Sequence, residues 1–177
     1  MSERVTGRDG KRDVAIVAFS FALRKGNQEP NPCNLKLAQE VLRLRKDYPS
    51  SLVVAQWEVA KALGRLGHTA DHVISRPSDG TYLDTNFVWR EACEHLADAE
   101  IWQVVPVAQP FLQLTQVRRM IRRSPFALQV RRINRIGFDN SRDNSQWWTK
   151  GPVRLLAYAL LALTKGLLTR LPNMPYP

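Results

Sequence analysis

The stretch Ser51-Leu-Val-Val-Ala-Gln-Trp-Glu-Val-Ala60 breaks from a short apolar run to Gln56 and Glu58 and then into a helical pattern. A strand that feeds directly into a helix is the repeating unit of an α/β sheet. In such sheets the loop after each strand opens at the carboxyl edge, and ligands bind there where the strand order reverses. Gln56 and Glu58 stand at that edge.

The same grammar recurs along the chain. Residues 13–19 form a near-continuous apolar run rich in β-branched side chains, as expected of a strand covered on both faces. Pro30 and Pro32 mark a loop, after which Asn34 is expected to cap a helix with Leu37, Val41 and Leu44 on its inner face. Tyr48-Pro49 ends it. A second strand at 52–55 and a helix over 57–66 closed by Gly67 follow, then a short strand at 72–74 and turn chemistry at 77–80. The next helix starts at Asp84 or Thr85, with Val88, Ala92 and Leu96 at helical spacing, and 101–107 reads as the fourth strand. Phe111, Leu114, Val117 and Ile121 share the face of a further helix, and 127–130 alternates as a fifth strand. After a polar loop at 140–145, residues 147–171 read as a helix apolar nearly all round, expected to lie in the core and cover the sheet, with docking on a membrane surface or a dimer interface as the alternative. This order predicts an α/β, Rossmann-like three-layer sandwich with a mainly parallel sheet of four to five strands. It would form one domain over 13–171, between a disordered basic tail at 1–12 and a short C-terminal tail at 172–177.

A chain of 177 residues can bury enough apolar surface to fold without disulfides or metal. Cys33 and Cys93 belong to no C-x-x-C pair and read as reduced thiols. The longest apolar run, 155–163, is far short of the ~20 residues that span a bilayer, and the N-terminus has no apolar signal region. A soluble cytoplasmic protein is expected. The net charge of +10 is concentrated: Arg118, Arg119, Arg122, Arg123, Arg131, Arg132, Arg135 and Arg142 lie within 118–142, where the one acid is Asp139. Such a patch attracts polyanions, although a solvated helix face is its ordinary meaning. Between 118 and 135 the one aromatic available to stack on a base is Phe126.

Candidates for chemistry follow from the strand ends. They are Ser20 and Arg24 after the first strand, Gln56 and Glu58 after the second, Asp84 and Thr85 at a helix start, and Gln109 and Gln113 after the fourth. Hydrogen-bonding groups with one strong anion binder suit a small polar or anionic molecule. Asp84 or Thr85 also reads as an ordinary helix cap, and a helix dipole favours Glu58 in a first turn whatever else it does. Trp147-Trp148 read as anchors of the last helix. No glycine fingerprint follows the first strand, so NAD or FAD bound in the usual way is not expected. No P-loop and no metal-ligand spacing is present, and His68, His72 and His95 offer Ser20 no evident base.

The order and spacing resemble the YdcF-like family, which includes SanA and ElyC. The resemblance covers about 13–168 and rests on Val14-Ala-Ile-Val-Ala18, Asn34-Leu-Lys-Leu-Ala38, Glu58-Val-Ala60, 78–85, and Gln103-Val-Val-Pro-Val-Ala108 before a basic helix. Glu58 and Thr85 match polar positions of that family; its glycines after the first two strands, and the histidine and arginine after its fourth, are replaced here. The resemblance implies a Rossmann-like fold and, by analogy, S-adenosylmethionine or another nucleotide-like molecule in the crevice. The cytoplasmic branch of the family is the closer comparison.

Two functions follow as expectations. In the first, the protein is a cytoplasmic small-molecule binder or enzyme, with Glu58 as the acid or base. The second is a binding protein without catalysis whose arginine-rich face takes nucleic acid or an acidic partner.

Overall fold

Valine, isoleucine and alanine fill the first strand, β1 (Val14–Ala18), and its inner residues are fully buried. The computed structural model describes residues 13–23, 30–75 and 83–168, with side chains through 161. Both tails, Arg24 and the expected 77–80 turn lie outside the described residues. The elements run β1, α1 (Pro32–Asp47), β2 (Leu52–Gln56), α2 (Trp57–Arg65), β3 (His72–Ile74), α3 (Thr85–Asp98), β4 (Gln103–Val107), α4 (Gln113–Arg122), β5 (Ala127–Leu128) and α5 (Pro152–Leu168), with a 3₁₀ turn at Trp147–Lys150.

All five strands are parallel, in the order β3-β2-β1-β4-β5. The expected α/β, Rossmann-like three-layer fold is therefore what the chain adopts. α1 packs on α2 and α3 on α4, and right-handed crossovers place the two pairs on opposite faces. The order reverses between β1 and β4, whose C-terminal residues Ala18 and Val107 are partners, while Ala18 also pairs with Ala55 of β2. That register delivers the loops after β1, β2 and β4 to one edge. Local signals account for several boundaries. Gly67 sits at φ +78° just past α2, where a left-handed residue lets the His68 N–H reach back to the Leu63 carbonyl at 3.0 Å.

Four expectations are corrected. Asn31, not Asn34, caps α1: its side chain accepts from the Cys33 N–H, with Pro32 in the first turn. Asn34 is instead buried, its Oδ1 accepting from the Phe21 N–H (2.8 Å) and its Nδ2 donating to the Ala22 carbonyl (3.0 Å). Phe111 precedes α4 and is exposed, leaving Leu114, Val117 and Ile121 as the buried stripe. β5 ends at Leu128 rather than Val130. The last helix breaks at Gly151, and although Leu155 is buried, Val153 and Leu160 are 76% and 63% exposed, so among its described side chains α5 does not form a core layer.

The space beside β4 and β5 that a helix would cover is taken by an irregular strap, 129–139, which buries Ile133 and Ile136. Its polar anchors reach α1. The Glu40 carboxylate accepts from the Asn134 backbone N–H (3.1 Å) and side-chain amide, Arg43 donates to the Arg132 carbonyl (2.7 Å), and the Asn31 amide donates to Asp139.

Ala22 takes φ +71°, a left-handed conformation that costs an L-residue about 1 kcal/mol or more. The Asn34 amide holds it there. Ala22→Gly is expected to raise stability by roughly 0.5–1 kcal/mol in chemical denaturation, since the native conformation suits glycine; a loss of stability would show that the alanine methyl contributes more than the strain removes.

Candidate functional site

The strand-end loops are stitched together before any ligand is considered. Two residues past β1, the Ser20 N–H donates to the Gln56 side-chain oxygen (3.0 Å), and the Ser20 carbonyl accepts from the Gln113 side-chain amide (2.8 Å). Gln56 precedes α2 without capping it, because its amide serves Ser20 instead. Gln113 Oε1 in turn accepts from the Gln109 N–H (3.1 Å). Two glutamines thus pin the end of β1 to β2 and to α4 across the point where the strand order reverses.

Above this floor lies a cleft of about 610 Å³. The volume suits a small organic ligand. The structure brings six of the eight predicted positions to its wall: Ser20, Gln56, Glu58, Asp84, Thr85 and Gln113. Arg24 is outside the described residues. Gln109 lies away from the wall and is buried, its side-chain oxygen accepting from the Phe111 N–H (2.8 Å) and its amide reaching the Ile136 carbonyl (3.4 Å). It shapes the loop and anchors the strap. Asp84 also caps α3, accepting from the Phe87 N–H at 2.7 Å, as its position in the sequence suggests.

Glu58 is the one acid in the first turn of α2 and is only 9% exposed. A carboxylate in a first turn is favoured by the helix dipole and offers several acceptor positions to a ligand. Among the described residues lining the cleft there are two carboxylates, several amides and hydroxyls, and no lysine or arginine. Such groups accept and donate hydrogen bonds to a ligand.

The opposite wall was not legible from the strands. It comes from the 3₁₀ turn and α5: Trp148 stacks on Tyr158 with ring centroids 4.7 Å apart and 15° between planes, and both line the cleft with Gln146 and Thr149. Trp147 also meets the Tyr158 ring edge-on (6.4 Å). The Trp147-Trp148 doublet is the signal that could have pointed here.

Other reactive side chains lie elsewhere. Burial pushes the Cys33 and Cys93 thiols up to about 11, with Asp139 adding to the effect at Cys33 and Glu94 at Cys93. Neither is a thiolate nucleophile at neutral pH. His72 and His95 stack on each other, centroids 3.4 Å apart, between β3 and α3; burial, then the neighbouring His95, hold His72 below its ordinary value. Among the described residues no group of acids, histidines and cysteines is placed to hold a metal ion, and no helix is long and apolar enough to cross a membrane. No family model, curated protein or solved structure matches the chain.

Proposed function

We propose that the protein binds a small polar molecule bearing a nucleoside-like group in the cleft at the carboxyl edge of the sheet. One observation carries the reading: Glu58, a buried carboxylate just past β2, shares a cleft with Ser20 and Gln113 at the reversal between β1 and β4. In dinucleotide-binding sheets of this order, an acidic side chain about the end of the second strand accepts from a ribose hydroxyl, and Glu58 occupies the comparable place here without the glycine fingerprint. The aromatic residues Trp57 and Trp148 in the wall add stacking surface for a base or a cation.

S-adenosylmethionine fits this set of groups, since it joins a ribose, an adenine and a positively charged sulfonium, and the described wall offers carboxylates and aromatic faces. When bound, it would supply an activated methyl group. Glu58 would orient the ribose or hold a proton as acid or base, and the Gln56 and Gln113 bonds to Ser20 would keep the floor rigid. The resemblance in element order to the YdcF-like family points to the same ligand class. In this reading the protein works in the reducing cytoplasm, where Cys33 and Cys93 remain thiols.

The test is a thermal shift of the full chain against S-adenosylmethionine and a nucleoside and nucleotide panel at low and high salt. A ligand at 100 times its Kd should add about 2.7 kcal/mol of stability, which is a rise in Tm of roughly 5–10 °C for a chain of this size. The rise should persist in high salt and vanish in Glu58→Gln. An equal rise in that variant would remove Glu58 from the site, and no rise with any compound would remove the ligand class.

A further inference from the structure

The edge of the sheet opposite the cleft gathers a second set of side chains. α4 runs back from the carboxyl edge, so its final turns bring Arg119, Arg122 and Arg123 to the amino edge, where all three are exposed. The strap returns Arg131 and Arg132 to the same place. Arg118 of α4 donates to the Arg131 carbonyl (2.8 Å), Arg43 of α1 donates to the Arg132 carbonyl (2.7 Å), and the Arg131 guanidinium lies 5.2 Å from the centre of the Tyr48 ring at the end of α1. Among the described residues none of these five exposed arginines forms an ion pair, and 101–138 contains no acidic residue. Like charges held together this way repel one another unless an anion joins them.

Beside the arginines stands an aromatic surface assembled by the fold. Trp102, the residue before β4, is 49% exposed. It stacks on Phe126 with centroids 5.4 Å apart and 24° between planes, and its carbonyl accepts from the Ala127 N–H at 2.7 Å. That bond ties it to the turn directly after Arg123. Charged side chains alone could be explained as guards of the exposed β5 edge. A guard has no use for a half-exposed indole backed by a second ring.

We propose that this amino edge binds single-stranded nucleic acid, with Arg119, Arg122, Arg123, Arg131 and Arg132 on phosphates and Trp102 stacked on a base. Cations that follow the backbone, combined with an aromatic platform, are what single-strand binding requires. A duplex hides its base faces and gains nothing from Trp102. The proposal is independent of the cleft, which lies at the other end of the strands.

The test is fluorescence anisotropy of the full chain with a labelled oligodeoxythymidylate of about 15 nucleotides, a duplex of equal charge, and inorganic polyphosphate. The single strand should bind most tightly, with log K falling against log salt at a slope of about −3.5 for five phosphates engaged. Arg119→Ala/Arg122→Ala/Arg123→Ala should weaken all three probes. Trp102→Leu should weaken the single strand roughly tenfold and leave polyphosphate unchanged, and Trp102→Phe should restore most of the loss. Melting temperatures of the variants establish that they are folded. Equal affinity for polyphosphate and single strand, or indifference to Trp102→Leu, would overturn the proposal in favour of a plain polyanion surface. Absence of binding at low salt would leave the arginines as edge guards and overturn it outright.

Discussion

Asn34→Ala is expected to destabilise the protein by about 3 kcal/mol, a fall in Tm of roughly 6–12 °C for a chain of this size. Asn34 is buried in α1, and its side chain satisfies both the Phe21 N–H and the Ala22 carbonyl. Removing it leaves two buried backbone groups without partners, and each such group costs more than an ordinary hydrogen bond contributes. It also frees Ala22 from its left-handed conformation. Because Ser20 and Phe21 form the near side of the cleft, ligand affinity should fall along with stability. Asn34→Asp keeps the acceptor for Phe21 but sets a carboxylate against the Ala22 carbonyl, so it should remain destabilised at neutral pH. A calorimetric Tm for Asn34→Ala within about 2 °C of the parent would show that the loop after β1 is held by other contacts.

Glu40→Ala is expected to cost about 2–3 kcal/mol and to loosen the strap. The buried carboxylate accepts from Arg43 (2.9 Å), from the Asn134 N–H and from the Asn134 amide, joining α1 to a segment 94 positions away in the chain. Without it the strap keeps the Asn31–Asp139 and Gln109–Ile136 bonds but loses its fastening at Asn134, beside Ile133, and trypsin should cut at Arg131, Arg132 and Arg135 sooner. The same contact carries a pH signature. Burial acts to raise the Glu40 carboxyl, but hydrogen bonds from Arg43 and Asn134 outweigh it and hold the group below its ordinary 4.5. A carboxyl lowered by folding contributes stability that is complete well above 4.5 and is lost as pH falls through its lowered native value. Stability of the parent should therefore drop in that acid range more steeply than that of Glu40→Gln. Parallel curves, or unchanged proteolysis in Glu40→Ala, would remove Glu40 as the clasp.

The order of elements, the parallel sheet and the edge where the strand-end residues meet were legible before any tertiary contact was known. Each of those readings rests on patterns between neighbours in the chain: the apolar run 14–18, the 52–58 transition from strand to helix, Gly67 after α2, and Asp84 capping α3. Parallel topology and register then carried Ser20, Gln56, Glu58, Asp84, Thr85 and Gln113 into one cleft without further information.

Which polar side chains the fold uses for itself was fixed by packing between distant segments. The local pattern placed the cap of α1 at Asn34, but Asn31 takes that role and Asn34 is used by Phe21 and Ala22. Gln109 turns away from the cleft because the Phe111 N–H and the Ile136 carbonyl require partners. Trp148 and Tyr158 reach the cleft, and Trp102 reaches Phe126, across separations that no helical or strand period encodes. The apolar pattern of α5 looked like that of a core layer, yet the strap, fastened through Glu40 and Asn31, covers the sheet beside β4 and β5. The physical reason is common to all of these: a local pattern specifies which backbone groups an element satisfies within itself, whereas the partners of buried polar groups and aromatic faces are fixed only when distant segments pack.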